Sequence, residues 1–138
     1  MIKQIFVNLP VNDLKASIDF FTKLGFTFNP QFTDENATCM IIGENMFVML
    51  LVKEFFQTFT AKEIIDAKDS IEVINALSVE TREEVDALLE KGLAAGGTEP
   101  RAAMDLGWMY NRALADLDGH VWEIVSMDMS QMPQTPAK

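Results

Sequence analysis

Apolar and polar residues alternate along the first run of the chain, from Lys3 to Val11. One parity of this run is aliphatic and the other carries an aromatic ring, an amide and a proline. The two sets are Ile5, Val7, Leu9 and Val11, and Phe6, Asn8 and Pro10. Successive side chains of a strand point to opposite faces of the sheet, so this period of two predicts a strand with two different faces.

The following segment has helical spacing. Asn12 or Asp13 can cap a helix, and Gly25 suits the position just past its end. The apolar stripe of this helix is Leu14, Ile18, Phe21 and Leu24. An extended piece at 26–28, a strand at 37–42, a turn at 43–45 and a strand at 46–52 come next. The predicted order is β-α-β-β-β.

The same order is predicted a second time. A strand at 71–79 ends in Val79, as the first strand ends in Val11, which sets a repeat of 68 residues. Thr81 to Glu84 form a capping box that opens a helix with the stripe Val85, Leu88, Leu89 and Leu93. An extended piece at 98–100, a strand at 108–115, a turn at 116–119 and a strand at 120–127 complete the second copy.

This repeat sets the domain organisation. We expect one domain over residues 1–128, made of a first module at 1–52, a linker at 53–69 with one or two short helical turns, and a second module at 70–128. Residues 129–138, with Pro133 and Pro136 and few apolar side chains, are expected to form a flexible tail.

Composition narrows the classes of function. The 138 residues carry a formal net charge of −10, and no cluster of Lys and Arg is present that would release counterions from nucleic acid or bind an anionic membrane. No apolar stretch approaches the roughly 20 residues of a membrane span, and the N-terminus lacks the core of a signal peptide. We expect a cytoplasmic protein in which the single cysteine, Cys39, is an ordinary strand residue.

The chain contains one histidine, His120, and one cysteine. Within one chain this count excludes any mechanism that needs two histidines or a pair of thiols. Neither a phosphate-binding glycine loop nor a Ser-His-Asp arrangement is indicated by the remaining residues.

Three segments resemble the vicinal oxygen chelate superfamily, which includes glyoxalase I, extradiol dioxygenases and the fosfomycin- and bleomycin-resistance proteins. They are Val11-Asn12-Asp13-Leu14 with Ser17 and Phe20-Phe21, then Leu24-Gly25-Phe26, and Asp116-Leu117-Asp118-Gly119-His120-Val121-Trp122-Glu123. The resemblance covers both halves of the chain. It implies an α+β glyoxalase-like fold, in which two βαβββ modules form a cup-shaped mixed sheet around a small-molecule site, commonly in a homodimer.

Metal-using members of this superfamily place one ligand on the first and last strand of each module. The corresponding places here are Phe6, the strand at 45–52, Ile74 and Glu123. Only Glu123 has a side chain that binds metals, since the 45–52 strand offers neither carboxylate nor imidazole. We therefore expect no conventional metal site and no cofactor; a divalent metal would need an unconventional site or one shared across a dimer. His120 is expected at the mouth of the 116–119 turn, on the face opposite Glu123.

Glu123 is the candidate catalytic residue. Without a metal it is expected to face apolar neighbours such as Phe6 and Met49, which would raise its proton affinity by desolvation. Glu72 is a second carboxylate for acid and base work if it shares the face of Ile74; the alternative is a solvated carboxylate near the start of its strand.

A ligand is expected to contact a mainly apolar lining. Strand parity and the segment before the terminal motif give the candidates Phe6, Asn8, Met49, Glu72, Ile74, Trp108, Tyr110 and Arg112. Such a lining suits a flat or aliphatic organic molecule. Arg112 either meets an anionic group of the ligand or pairs with a nearby carboxylate of the protein.

Three functions remain open. The first is metal-independent binding of a small organic molecule, as in the drug-sequestering members of the superfamily. The second is a lyase, isomerase or dioxygenase of the glyoxalase type, which uses an unconventional metal site or Glu123 as a base. The third is a non-catalytic dimeric scaffold whose cup is closed by its own side chains.

Overall fold

A computed structural model describes residues 1–133 of the chain. These fold as two units, one from Met1 to Ser70 and one that begins at Ile71. The helices and strands of the first unit are β1 (Ile5–Val11), α1 (Leu14–Lys23), β2 (Thr27–Asn29), β3 (Ala37–Gly43), β4 (Met46–Val52) and α2 (Lys53–Phe56). Those of the second unit are β5 (Ile74–Ser78), α3 (Arg82–Ala94), β6 (Met104–Asp105), β7 (Met109–Ala115) and β8 (Val121–Met127).

Each unit contains one four-stranded mixed sheet, and the two sheets have the same topology. The strand orders are β1-β4-β3-β2 and β5-β8-β7-β6, with the first pair parallel and the other pairs antiparallel. This equivalence confirms the predicted internal repeat and the α+β class. Each helix connects the first strand to the rest of its sheet, which is why the apolar pattern switches from period two to helical spacing in both halves.

The first sheet is buried on one face by α1. Leu9, Val11, Val48 and Leu50 lie on that face and are almost fully buried, as are the helix residues Phe20 and Phe21. Asp13 caps α1 by accepting a hydrogen bond from the Ala16 amide at 3.1 Å. Gly25 follows the helix with a φ of +102°, a conformation that favours glycine.

The second sheet is buried in the same way by α3, which packs against β7 and β8. Val85 and Leu89 of the helix, and Leu114, Trp122 and Ile124 of the strands, are almost inaccessible. Thr81 caps α3 by accepting a hydrogen bond from the Glu84 amide at 3.1 Å, which is one of the two hydrogen bonds of the predicted capping box.

The structure corrects two predicted segments of the second unit and adds one strand. The strand expected at 71–79 covers only Ile74–Ser78, so Glu72 precedes it. The extended piece expected at 98–100 is reduced to one antiparallel bridge between Thr98 and Ala115, and the edge strand of the second sheet is Met104–Asp105 instead. A two-residue edge strand is too short to show alternation, so no pattern marked it.

The segments outside the two sheets are short. The linker contains the expected helical turns, as α2 and a 3-10 turn at Gln57–Phe59. A further 3-10 turn at Met129–Gln131 is capped by Asp128. The rest of the expected tail, residues 134–138, lies outside the described residues. No helix within 1–133 is long and apolar enough to cross a membrane.

Candidate functional site

A polar cluster lies on the face of the second sheet opposite α3. Strand register places Glu123 beside Ala76 of β5 and Ala113 of β7 on this face, which we call the Glu123 face. The next residues of β8, Trp122 and Ile124, point to the α3 side and are buried there. The small alanine side chains on both sides of Glu123 leave its carboxylate accessible, with 27 % of the side chain exposed.

Arg101 is the central member of this cluster. Its Nη2 donates to Glu123 Oε2 at 2.8 Å and to Asn111 Oδ1 at 2.6 Å, and its Nη1 donates to the Ala102 carbonyl at 3.1 Å. Asn111 is 1 % exposed and shares the Glu123 face, because it pairs with Val125 two residues further along β8. The arrangement is therefore an ion pair anchored on a buried amide.

The prediction that Glu123 faces only apolar neighbours is wrong, because the Arg101 guanidinium contacts its carboxylate directly. The sequence interpretation missed Arg101 because it lies in an irregular loop, 22 residues from Glu123. The available signal was an arginine in an alanine-rich loop, one of only three arginines in the chain.

Two predicted ligand-binding residues, Tyr110 and Arg112, lie on the opposite face of the same sheet. In register they pair with Ser126 and Ile124, on the side that α3 covers. Trp108 precedes β7 and lines, with Tyr110, a cavity of about 200 Å³ at the start of α3. The structure therefore does not bring these three residues together with Glu123, and a role in ligand binding stays a prediction for each of them.

Arg112 pairs with carboxylates of the protein, which is one of its two expected roles. Its Nε and Nη2 donate to the two oxygens of Glu99 at 2.9 Å each, and its Nη1 donates to Asp86 at 3.0 Å. The guanidinium lowers the pKa of Glu99, and the hydrogen bond from the Tyr110 hydroxyl, with a second from Arg112, lowers that of Asp86. The same hydrogen bond to Asp86 raises the pKa of Tyr110.

The other predicted residues fall into separate groups. Ile74 lies on the Glu123 face, two residues from Ala76. Glu72 is exposed and outside β5, which agrees with the solvated alternative. Phe6, Asn8 and Met49 share one face of the first sheet, where the rings of Phe6 and Phe47 stack with centroids 4.9 Å apart.

The terminal motif forms a buried turn. Asp116 Oδ1 accepts from the amides of Asp118 and His120, and its Oδ2 accepts from Trp122 Nε1, each at 3.0 Å. Burial raises the pKa of Asp116, and Gly119 completes the turn with a φ of +88°. His120 lies at the mouth of this turn, as predicted. The Asp, Gly and Trp of the motif thus orient β8, which carries Glu123.

The residues at the four metal-ligand places do not fit a divalent metal. Phe6 and Ile74 have no donor atoms, β4 is apolar throughout, and Glu123 is paired with Arg101. Across residues 1–133, no three His, Cys, Asp or Glu side chains are grouped so as to hold a metal ion. Cys39 is buried in β3, and burial raises the pKa of its thiol.

Comparisons with known proteins agree with this architecture. Residues 3–43 match the family model described as bleomycin resistance protein-like N-terminal. A hypothetical protein from S. aureus is 33 % identical, with a TM-score of 0.78, over 91 % of this chain and 95 % of that one. Comparison with curated proteins finds no match.

More distant structures share the fold. A glyoxalase-related enzyme from Fulvimarina pelagi is 24 % identical, with a TM-score of 0.76, over 91 % of this chain and 88 % of that one. A bleomycin resistance determinant encoded on the transposon Tn5 is 18 % identical, with a TM-score of 0.61, over 92 % of this chain and 99 % of that one. The repeated βαβββ topology, the family model over residues 3–43 and these relatives support the vicinal oxygen chelate superfamily, whose glyoxalase-like fold the chain has.

Proposed function

We propose that the protein binds a small organic molecule on the Glu123 face, without a conventional metal site. The observation that carries this proposal is the Arg101–Asn111–Glu123 cluster, in which the partly exposed Arg101 and Glu123 adjoin a buried amide beside small and apolar side chains. Binding sites for small molecules are typically apolar, with a few polar groups that fix orientation. Relatives with the same fold include a bleomycin resistance determinant and a glyoxalase-related enzyme.

The surroundings of the cluster support this proposal. Ile74 is 52 % exposed on the Glu123 face, and Ala76 beside it is exposed as well. Exposed aliphatic groups of this kind offer surface to the apolar part of an organic molecule.

A thermal-shift screen of a chemically diverse compound panel tests the proposal. A compound present at 100 times its Kd should stabilise the wild type by about 2.7 kcal/mol. Glu123→Gln should weaken binding about tenfold or more, because a charged hydrogen-bond partner is lost. Glu84→Gln, the same change on the exposed side of α3, should bind like the wild type. A panel without stabilising compounds, or equal binding by both variants, would contradict the proposal.

A glyoxalase-type enzyme is the second candidate function. It is favoured by Glu123 Oε1, which accepts no hydrogen bond from any residue within 1–133 and is free to act as a base toward a bound substrate. Turnover of a compound found in the screen, lost in Glu123→Gln and retained in Glu84→Gln, would establish this function. Unchanged turnover in Glu123→Gln would remove Glu123 from the mechanism.

We also propose that the chain forms a homodimer, as is common in the superfamily. Exposed apolar side chains at the sheet edge strands β1 and β5, among them Ile5 and Ile74, support association. Sedimentation equilibrium should give twice the chain mass of 15.5 kDa. A single species at the chain mass would contradict the dimer and leave the ligand proposal unaffected.

A further inference from the structure

The Glu123 face presents hydrogen-bonding groups that the fold itself does not use. The Arg101 Nε–H and the Asn111 Nδ2 donate to no residue within 1–133, and Glu123 Oε1 accepts from none. These three groups belong to side chains that are already in contact. Arg101 Nη2 donates to Asn111 Oδ1 at 2.6 Å and to Glu123 Oε2 at 2.8 Å. Two donors and one acceptor therefore adjoin one another on this face.

The Asn111 amide is the most informative of these groups. The side chain is 99 % buried, since only 1 % of the residue is exposed, and Arg101 fixes its orientation by donating to Oδ1. Every fully enclosed side-chain N or O atom within 1–133 has a partner, so Nδ2, which has none there, is not completely enclosed. A buried donor that lacks a protein partner is satisfied by water or by an acceptor atom of a ligand.

The charge of the cluster favours a neutral ligand. Arg101 and Glu123 already compensate each other at 2.8 Å. A carboxylate placed beside them meets the negative charge of Glu123, and an amidinium meets the positive charge of Arg101, so each ion gains less than its desolvation costs. A neutral group with a separate acceptor and donor meets neither repulsion.

We propose that the Glu123 face recognises the planar edge of a neutral carboxamide. Its carbonyl oxygen accepts from Asn111 Nδ2 and Arg101 Nε, while its N–H donates to Glu123 Oε1. A ketone or ester of the same shape fills the donor sites but leaves the Glu123 oxygen without a donor. This inference rests on the proposed function and assigns the chemical class of the ligand.

Three probes that share a phenyl ring test the inference: benzamide, benzoate and acetophenone. Titrations of the full chain, followed by nuclear magnetic resonance, should give an affinity for benzamide at least about tenfold higher than for either of the others. Benzamide should also shift the Arg101 Nε–H and Asn111 side-chain amide signals. The three arginines of the chain make the first of these signals easy to assign.

Two variants locate the recognition. Asn111→Asp keeps the oxygen that Arg101 contacts and removes the donor, so the preference for benzamide should disappear while the circular dichroism spectrum is retained. Glu123→Gln should reduce the same preference if Asn111→Asp does not fold. Asn36→Asp, an identical change in an exposed loop of the first unit, should leave the preference unchanged.

Equal affinity for the three probes, tighter binding of benzoate or acetophenone, or no binding of any of them would overturn the carboxamide inference. Each of these results leaves the proposed function standing if the compound panel yields another ligand that Glu123→Gln weakens. A panel without any ligand would instead contradict the proposed function itself.

Discussion

Arg101 and Glu123 are 22 residues apart in the chain and form a 2.8 Å ion pair on the Glu123 face of the second sheet. Through the same Nη2, Arg101 also donates to the buried Asn111. The pair thus connects the loop after α3 to two neighbouring strands and determines which polar groups that face presents.

The first prediction separates this pair from an ordinary surface ion pair. Arg101→Ala should lower the free energy of unfolding by about 2 kcal/mol, because the buried side-chain oxygen of Asn111, Oδ1, loses its hydrogen-bond donor. Arg82→Ala removes an arginine whose partner, Asp105, is half exposed, and should lower the free energy of unfolding clearly less. Urea unfolding measures both values, and a loss as large in Arg82→Ala as in Arg101→Ala would contradict the assignment.

The second prediction concerns acid stability and Arg112. Asp86 and Glu99 have lowered pKa values in the folded protein. A lowered carboxyl pKa stabilises the fold at pH above the unfolded value of about 4, and this contribution is lost as the pH falls through the folded pKa. Arg112→Met should therefore cost about 2 kcal/mol at neutral pH and clearly less near pH 3.

Unfolding curves at the two pH values check this result. Lys91→Met, which removes a cation from the exposed side of α3, serves as the control and should show little change at either pH. A deficit of Arg112→Met that stays constant from neutral pH to about pH 3 would show that lost packing, and not the ion pairs, causes it.

The third prediction tests the buried turn at Asp116. In the wild type, both oxygens of Asp116 accept hydrogen bonds from N–H groups. Asparagine has only one acceptor oxygen, so in Asp116→Asn the NH₂ group faces at least one of these N–H donors. We expect a loss of about 2–3 kcal/mol in unfolding free energy. Asp66→Asn affects a single hydrogen bond in an exposed turn and should change stability by less than about 0.5 kcal/mol. Equal effects would refute the structural role of Asp116.

The fourth prediction concerns Gly92 inside α3. A helical glycine replaced by alanine normally gains up to about 1 kcal/mol, but a Cβ at this position would overlap Leu114 Cδ2. Gly92→Ala should therefore destabilise the protein by about 1–3 kcal/mol. Combining it with Leu114→Val should recover part of that loss in a double-mutant cycle. Additive losses would show that the two residues are not in contact.

Sequence periodicity predicted most of the fold because each strand has one buried face. The bounds of β4 and the start of α1 agree with the structure, since alternation and an N-cap mark them. Periodicity does not predict the edge strand β6, because two residues are too few to show an alternation. The apolar run begins before β5 and so predicts a strand that includes Glu72, but backbone pairing begins only at Ile74.

The candidate site was less predictable for two physical reasons. Arg101 reaches Glu123 through the path of a loop, and loop paths leave no periodic trace in a sequence. Ala113 of β7 pairs with Glu123 and therefore lies on the Glu123 face. Tyr110 and Arg112 are three residues and one residue away from Ala113 along β7, so they lie on the other face. Recognising that separation required only the register of β7 against β8.

In the function proposed above, a ligand occupies the Glu123 face of the second sheet and not its α3 side. The most direct test is a backbone amide titration with the tightest compound from the panel, observed by nuclear magnetic resonance. The largest shifts are expected at Ala76, Asn111 and Glu123. Shifts concentrated instead at Trp108 and Tyr110, around the cavity at the start of α3, would contradict it.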